Sequence, residues 1–227
     1  LEVLIDRLSR EFTIRINQGT PQVAYQEAIK TEVRYHEVYK KQTGGRGKFA
    51  DIDVILSPAD DGVKGLQFID ETRGGVLSRE FIYATEKGFK LAMMNGILAG
   101  FPLNNLKVRL LDGSSHSVDS DALAFQVAAA QAFREACKQA HPTLLEPIMS
   151  VVVNTPDDYV GDVTSDLNKR RGHMEDVSSE VGYQVVKGKA PLATLFGYVT
   201  ALRTITSGRA SASVEFSHYA DVPRELL

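Results

Sequence analysis

YKKQTGGRGKFADIDV, residues Tyr39 to Val54, holds three glycines and four cations and has no acid before Asp51. Whether a helix or a strand follows its glycines decides the kind of fold. Gly45-Arg46-Gly47-Lys48-Phe49-Ala50 satisfies the G-x-G-x-x-A form of the dinucleotide fingerprint. That motif needs a helix to open next, so that its N-terminus faces a pyrophosphate. Ala50–Leu56 (ADIDVIL) instead reads as a strand. The stretch is therefore a hairpin loop and not a nucleotide cradle. A P-loop is excluded too: Gly47-Lys48 is followed by Phe49, Gln42 stands where its first glycine belongs, and Gly188-Lys189 is followed by Ala190.

A seven-residue turn is longer than a hairpin requires, and long loops on rigid scaffolds carry function disproportionately. Gly44, Gly45 and Gly47 let the backbone approach a partner closely, Arg46 offers a forked donor and Lys48 a point charge. Such a tip suits RNA phosphates and minor-groove 2′-hydroxyls. On the residues alone, an idle surface loop remains the other reading.

Outward from the loop, residues 31–41 and 49–57 pair as strands and 66–69 form a short third. Arg79–Leu98 carries Phe81, Ile82, Thr85, Phe89, Ala92 and Met93 at helical spacing and is stopped by Gly100 and Pro102. A strand at 106–111, a polar turn at 112–121 and an alanine-rich helix at 122–140 follow. Beyond a boundary near His141–Leu144 the order is strand 145–154, helix 157–170, strand 172–177, strand 183–190, helix 193–207 and strand 211–219. That β-α-β-β-α-β order is the split βαβ, ferredoxin-like pattern. Upstream, 1–12 reads as helix and 13–17 as strand, and the uncapped start of that helix reads as a cut from a longer protein. The fold class is α+β in two domains.

The 227 residues carry a net charge of −3, which argues against coating nucleic acid by bulk charge and makes local basic patches the relevant feature. One cysteine, Cys137, excludes an internal disulfide and a multi-cysteine zinc site. No apolar run reaches membrane-spanning length, so a cytoplasmic location is the default expectation. His36, His141, His173 and His218 are too scattered to argue a metal site, and no catalytic residue is expected in this chain. His116 has serines and Asp119 near it in sequence, but no G-x-S-x-G elbow accompanies them.

Seven segments occur in order along the chain: PQVAYQEAI (Pro21–Ile29), YKKQTGGRGKF, LAGFPLNNLKVRLLDGSSHSVDSD, LLEPIM, GDVTSDLNKRRG, PLATLFGYVTALRTITSGRA and EFSHY. Together they resemble the C-terminal part of the bacterial elongation factor G family, over nearly the whole chain. The resemblance implies the end of domain III at 1–19, domain IV with a ribosomal-protein-like β-α-β fold at 20–142, and a ferredoxin-like domain V at 143–227. It implies a tip of two loops, Gln42, Thr43, Gly44, Gly45 and Arg46 with Gly47 and Lys48 beside them, and Ser115, His116, Ser117 and Val118 in the second. That tip is expected to touch the tRNA–mRNA duplex and small-subunit rRNA in the decoding region, with Gln42 and His116 foremost. Domain V is expected to dock near the sarcin–ricin loop and stalk base of the large subunit, Lys169, Arg170 and Arg171 being its rRNA-facing candidates. Helix-dipole stabilisation alone also accounts for those three cations.

The family implies a monomeric, ribosome-dependent GTPase parent whose GTP and Mg sites lie upstream, with no cofactor in this chain. Ser78 and Ser117 stand where prolines are common in the family, Thr164-Ser165 replaces the usual Ile-Gly, and Asp176–Val181 is unusual. These departures leave open a paralogue specialised for ribosome recycling. A small-molecule kinase sharing the domain IV topology is the rival from another class, and it would need the phosphate loop that the sequence lacks.

Overall fold

The computed structural model describes Glu11, residues 22–42 and residues 47–226. Of the helix expected at 1–12 only Glu11 is described, and the strand at 13–17 and the tail segment at 1–19 otherwise lie outside the described residues.

The first lobe is built on the hairpin. Strand β2 (Val33–Lys41) and strand β3 (Lys48–Pro58) pair antiparallel from Val33↔Leu56 to Lys41↔Lys48. Strand β5 (Asn105–Ser114) lies antiparallel to β3, and strand β4 (Gly65–Asp70) lies parallel to β5, giving the order β2-β3-β5-β4. A strand, not a helix, thus follows Gly47, as the alternation at 50–56 requires. Alternate residues Ala50, Ile52, Val54 and Leu56 of β3 are buried, and Asp51, Asp53 and Ile55 face the other way. Among the described residues one side of this sheet is covered, by helices α1 (Arg79–Ala92) and α2 (Ala122–Gln139), which both pack on it.

Alanines at 124, 128, 129, 132 and 136 give α2 a narrow buried stripe that lets the two helices approach closely. Gly88 of α1 sits at the closest point: a Cβ built there would lie 2.7 Å from Ala129 Cβ and 2.7 Å from the Gln126 carbonyl oxygen. Phe81 and Phe125 stack beside it with centroids 4.5 Å apart. Gly88→Val is therefore expected to wedge the helices apart and cost about 1–3 kcal/mol, the usual range for overpacking. A urea-unfolding midpoint unchanged from the parent would refute so tight a contact.

The second lobe follows the split βαβ order. Strand β6 (Pro142–Thr155), helix α3 (Val160–Lys169), strands β7 (His173–Glu180) and β8 (Tyr183–Pro191), helix α4 (Tyr198–Ile205) and strand β9 (Ser211–Asp221) form it. The sheet runs β9-β6-β8-β7, the ferredoxin-like arrangement, with Val151, Val153, Val186, Val163, Leu167 and Leu202 in its core.

Two differences from the sequence reading concern the junction. A four-residue strand, β1 (Gln26–Ile29), was not expected, and it pairs antiparallel with residues 142–145 of β6. The first lobe therefore leaves and re-enters through adjacent strands of the second sheet. Lys30 pairs with Asp221, the Tyr219 hydroxyl donates to the Ala24 carbonyl at 3.0 Å, and the amides of Lys30 and Thr31 both donate to Ala140 O. Second, α1 stops at Ala92 rather than Leu98. The cause is Glu27, 1% exposed, whose carboxylate accepts from the amides of Leu98 (2.9 Å), Ala99 (2.8 Å) and Phe101 (3.2 Å). A buried charge holding three amides outweighs the continued apolar spacing of Met93, Ile97 and Leu98.

Candidate nucleic-acid interface

The described residues that flank the first loop, Gln42 and Gly47, and the 115–121 turn lie at one end of the first lobe. The C-terminal end of β2, the N-terminal end of β3, the C-terminal end of β5 and the start of α2 all meet there. The 18 residues of α2 run from that end to the junction, about 27 Å at 1.5 Å per residue.

The start of β3 is braced against the 115–121 turn. The Gly47 amide donates to Asp119 Oδ1 at 3.0 Å, and the Phe49 amide donates to the Asp119 carbonyl at 2.8 Å. Ser120, 8% exposed, donates its hydroxyl proton to the Phe49 carbonyl at 2.8 Å and accepts from the His116 amide at 2.9 Å. The His116 imidazole lies flat on the Phe49 ring, centroids 3.7 Å apart and planes inclined by 3°. Lys48 pairs with Asp121, which also caps α2 by accepting from the Ala124 amide at 2.8 Å. That pairing offsets the repulsion of Lys48 with Lys41, its cross-strand partner.

The sequence-derived tip residues divide accordingly. Gln42, Ser115, His116 and Ser117 are exposed at the lobe's end. Thr43, Gly44, Gly45 and Arg46 lie outside the described residues. The close approach at Gly47 is to protein: a Cβ there would lie 3.2 Å from Asp119 Cγ. Lys48 is not an uncommitted point charge, being held by Asp121.

Phe49, Ser120 and Asp121 were not singled out from sequence, and Asp119 was weighed only as a triad neighbour of His116, yet these four make the brace. One local signal was present, since Ser120-Asp121 directly precedes the helical run of α2, where capping residues belong. The pairing of that cap with Lys48, 73 positions earlier in the chain, had no local signal.

In the second lobe, two of the three candidate cations are tied into the fold. Arg170 bonds Asp166 Oδ2 at 2.8 Å and the Thr194 carbonyl at 2.7 Å, and its guanidinium sits 5.2 Å from the centre of the Tyr198 ring. Burial, with Asp166 adding and Arg170 opposing, pushes the Tyr198 phenol up to about 12. Arg171, in left-handed backbone at φ 59°, donates to the buried Glu146 at 2.6 Å. Lys169 is exposed.

Among the described residues no group of His, Cys, Asp and Glu could hold a metal ion, and no helix is long and apolar enough to cross a membrane. Cys137 is buried in the first core, where burial foremost, with the charge of Glu27, pushes its thiol up to about 12, far from a reactive thiolate.

Residues 21–141 match the family model for elongation factor G, domain IV, and residues 143–227 that for the elongation factor G C-terminus. The chain is 58% identical over 226 residues to an elongation factor G of Amoebophilus asiaticus and 50% identical to that of Aquifex pyrophilus. All of this chain is covered in both alignments, but it spans 32% of either relative's length. A crystal structure of a Thermus thermophilus protein superposes with a TM-score of 0.86 at 40% identity, covering 99% of this chain and 33% of that one.

Proposed function

Since the chain belongs to the elongation factor G family, we propose that it is the mechanical arm of a ribosomal translocase. In this reading the braced end of the first lobe enters the decoding region as tRNA and mRNA move. Gln42 and His116 contact the codon–anticodon duplex, with Thr43 to Arg46, Ser115 and Ser117 around them. The second lobe docks on the large subunit near the sarcin–ricin loop and stalk base, with Lys169 rather than Arg170 or Arg171 as its available cation. GTP and Mg would bind upstream, in the part of the full-length cytoplasmic factor that this chain does not span.

The supporting observation is that Gly47 and Phe49, at the start of β3, are locked to the 115–121 turn, with Gln42, Ser115, His116 and Ser117 exposed, at the end of the lobe away from the junction. Occupation of the vacated A-site by such an end drives movement only if the factor binds the moved state better than the unmoved one. A histidine already held by its neighbours, as His116 is by Phe49 and Ser120, loses less entropy on making such contacts.

Salt dependence tests the contact with RNA. Arg46→Ala in the full-length factor is expected to lower the log–log slope of ribosome binding against salt by up to about 0.9, the value for one phosphate contact. Lys48→Ala is expected to change it less, because Asp121 already neutralises that ammonium. An unchanged slope for Arg46→Ala would mean that the loop meets no phosphate.

A further inference from the structure

We propose that Phe49 is a positioning residue for His116: it fixes the imidazole so that a pre-oriented ring edge meets the ribose 2′-hydroxyls and base edges of an RNA minor groove. This rests on the reading of the braced end as the RNA-contacting tip. An exposed histidine on a turn ordinarily samples several rotamers, and a partner that needs one of them must select it at binding. Here one ring face is covered by Phe49 at 3.7 Å, yet His116 remains exposed, so the other face and the edge are what solvent reaches.

The stack is supported from beneath. Ser120 joins the backbones of both ring-bearing residues through a single hydroxyl, accepting from the His116 amide and donating to the Phe49 carbonyl. Asp119 fixes the same strand end through the amides of Gly47 and Phe49. The ring pair is thus set by the brace and does not depend on RNA to form it. A-form minor grooves are shallow and lined with 2′-hydroxyls, so a rigid donor–acceptor edge at a fixed angle reads shape without reading sequence.

Four variants of the full-length factor test this by single-turnover translocation rates: Phe49→Leu, Phe49→Tyr, His116→Ala and the Phe49→Leu/His116→Ala pair. Phe49→Leu keeps an apolar side chain but loses the flat surface, and is expected to slow movement about two- to tenfold, the cost of one side chain no longer pre-ordered. Phe49→Tyr should restore the parental rate. The double variant should be no slower than His116→Ala alone, because Phe49 acts only through that ring. A parental rate for Phe49→Leu, or a deficit that multiplies with that of His116→Ala, overturns the positioning role while leaving the tip reading intact. A parental rate for His116→Ala overturns the tip reading and this inference with it.

Discussion

His116→Ala in the full-length factor is expected to slow translocation by about 5- to 150-fold while ribosome-stimulated GTP hydrolysis stays near the parental rate. The magnitude is that of one aromatic or forked polar contact to RNA, about 1–3 kcal/mol, at tenfold per 1.4 kcal/mol. Hydrolysis is spared because His116 sits at the tip, an α2 length from the junction, and truncating an exposed ring strands no buried group. Gln42→Ala should behave alike with a smaller deficit, since an amide side chain offers RNA less contact area than a stacked ring. Equal loss of hydrolysis and movement in His116→Ala would place the residue in general ribosome binding and remove the tip role.

The other large effect concerns the fold. Glu27→Ala leaves the amides of Leu98, Ala99 and Phe101 without the acceptor that a carboxylate only 1% exposed now supplies. Hydrogen bonds to a carboxylate are worth about 1.5–3 kcal/mol each, and solvent access with relaxation at the part-buried 96–101 turn brings the sum to roughly 3–5 kcal/mol. For a chain of this size that lowers the melting temperature by on the order of 10 °C. Glu27→Gln, which keeps one acceptor oxygen, should lie between. Hydrogen exchange gives the local readout: the three amides should lose protection first in the alanine variant. Protection equal to the parent's would show that the carboxylate does not hold the turn.

These two residues mark what was and was not legible in the sequence. His116 lies in a polar turn between two regular elements and invites attention wherever it is met. Glu27 looks like an ordinary solvated acid in QEAI, because nothing within ten positions tells that it will be covered. The hairpin around Gly47 and the β-α-β-β-α-β order were readable because each rests on local periodicity. Strand β1 was not, since its partners are residues 142–145 and a bridge to Leu103, far away along the chain. The commitments of Arg170 and Arg171 were hidden likewise: cations after a helix look alike whether they face solvent or, as Arg171 does, a buried acid 25 positions upstream. The tip residues were named by resemblance, but His116, Gly47 and Lys48 are held by Asp119, Ser120 and Asp121, whose value lies in partners on another strand.

The junction has one more implication. Ile29 and Pro142 are direct cross-strand partners, so everything between them is, topologically, a very long hairpin loop of the ferredoxin-like sheet. A two-residue turn spliced across that gap would excise the whole arm and still leave all five strands of the remaining sheet in register. Glu27, whose amide partners would depart with the excised part, would be left as an ordinary solvated acid, while Ile29, buried in the arm's core, would need a polar replacement. The arm is thus a graft on a smaller protein, held at a single seam.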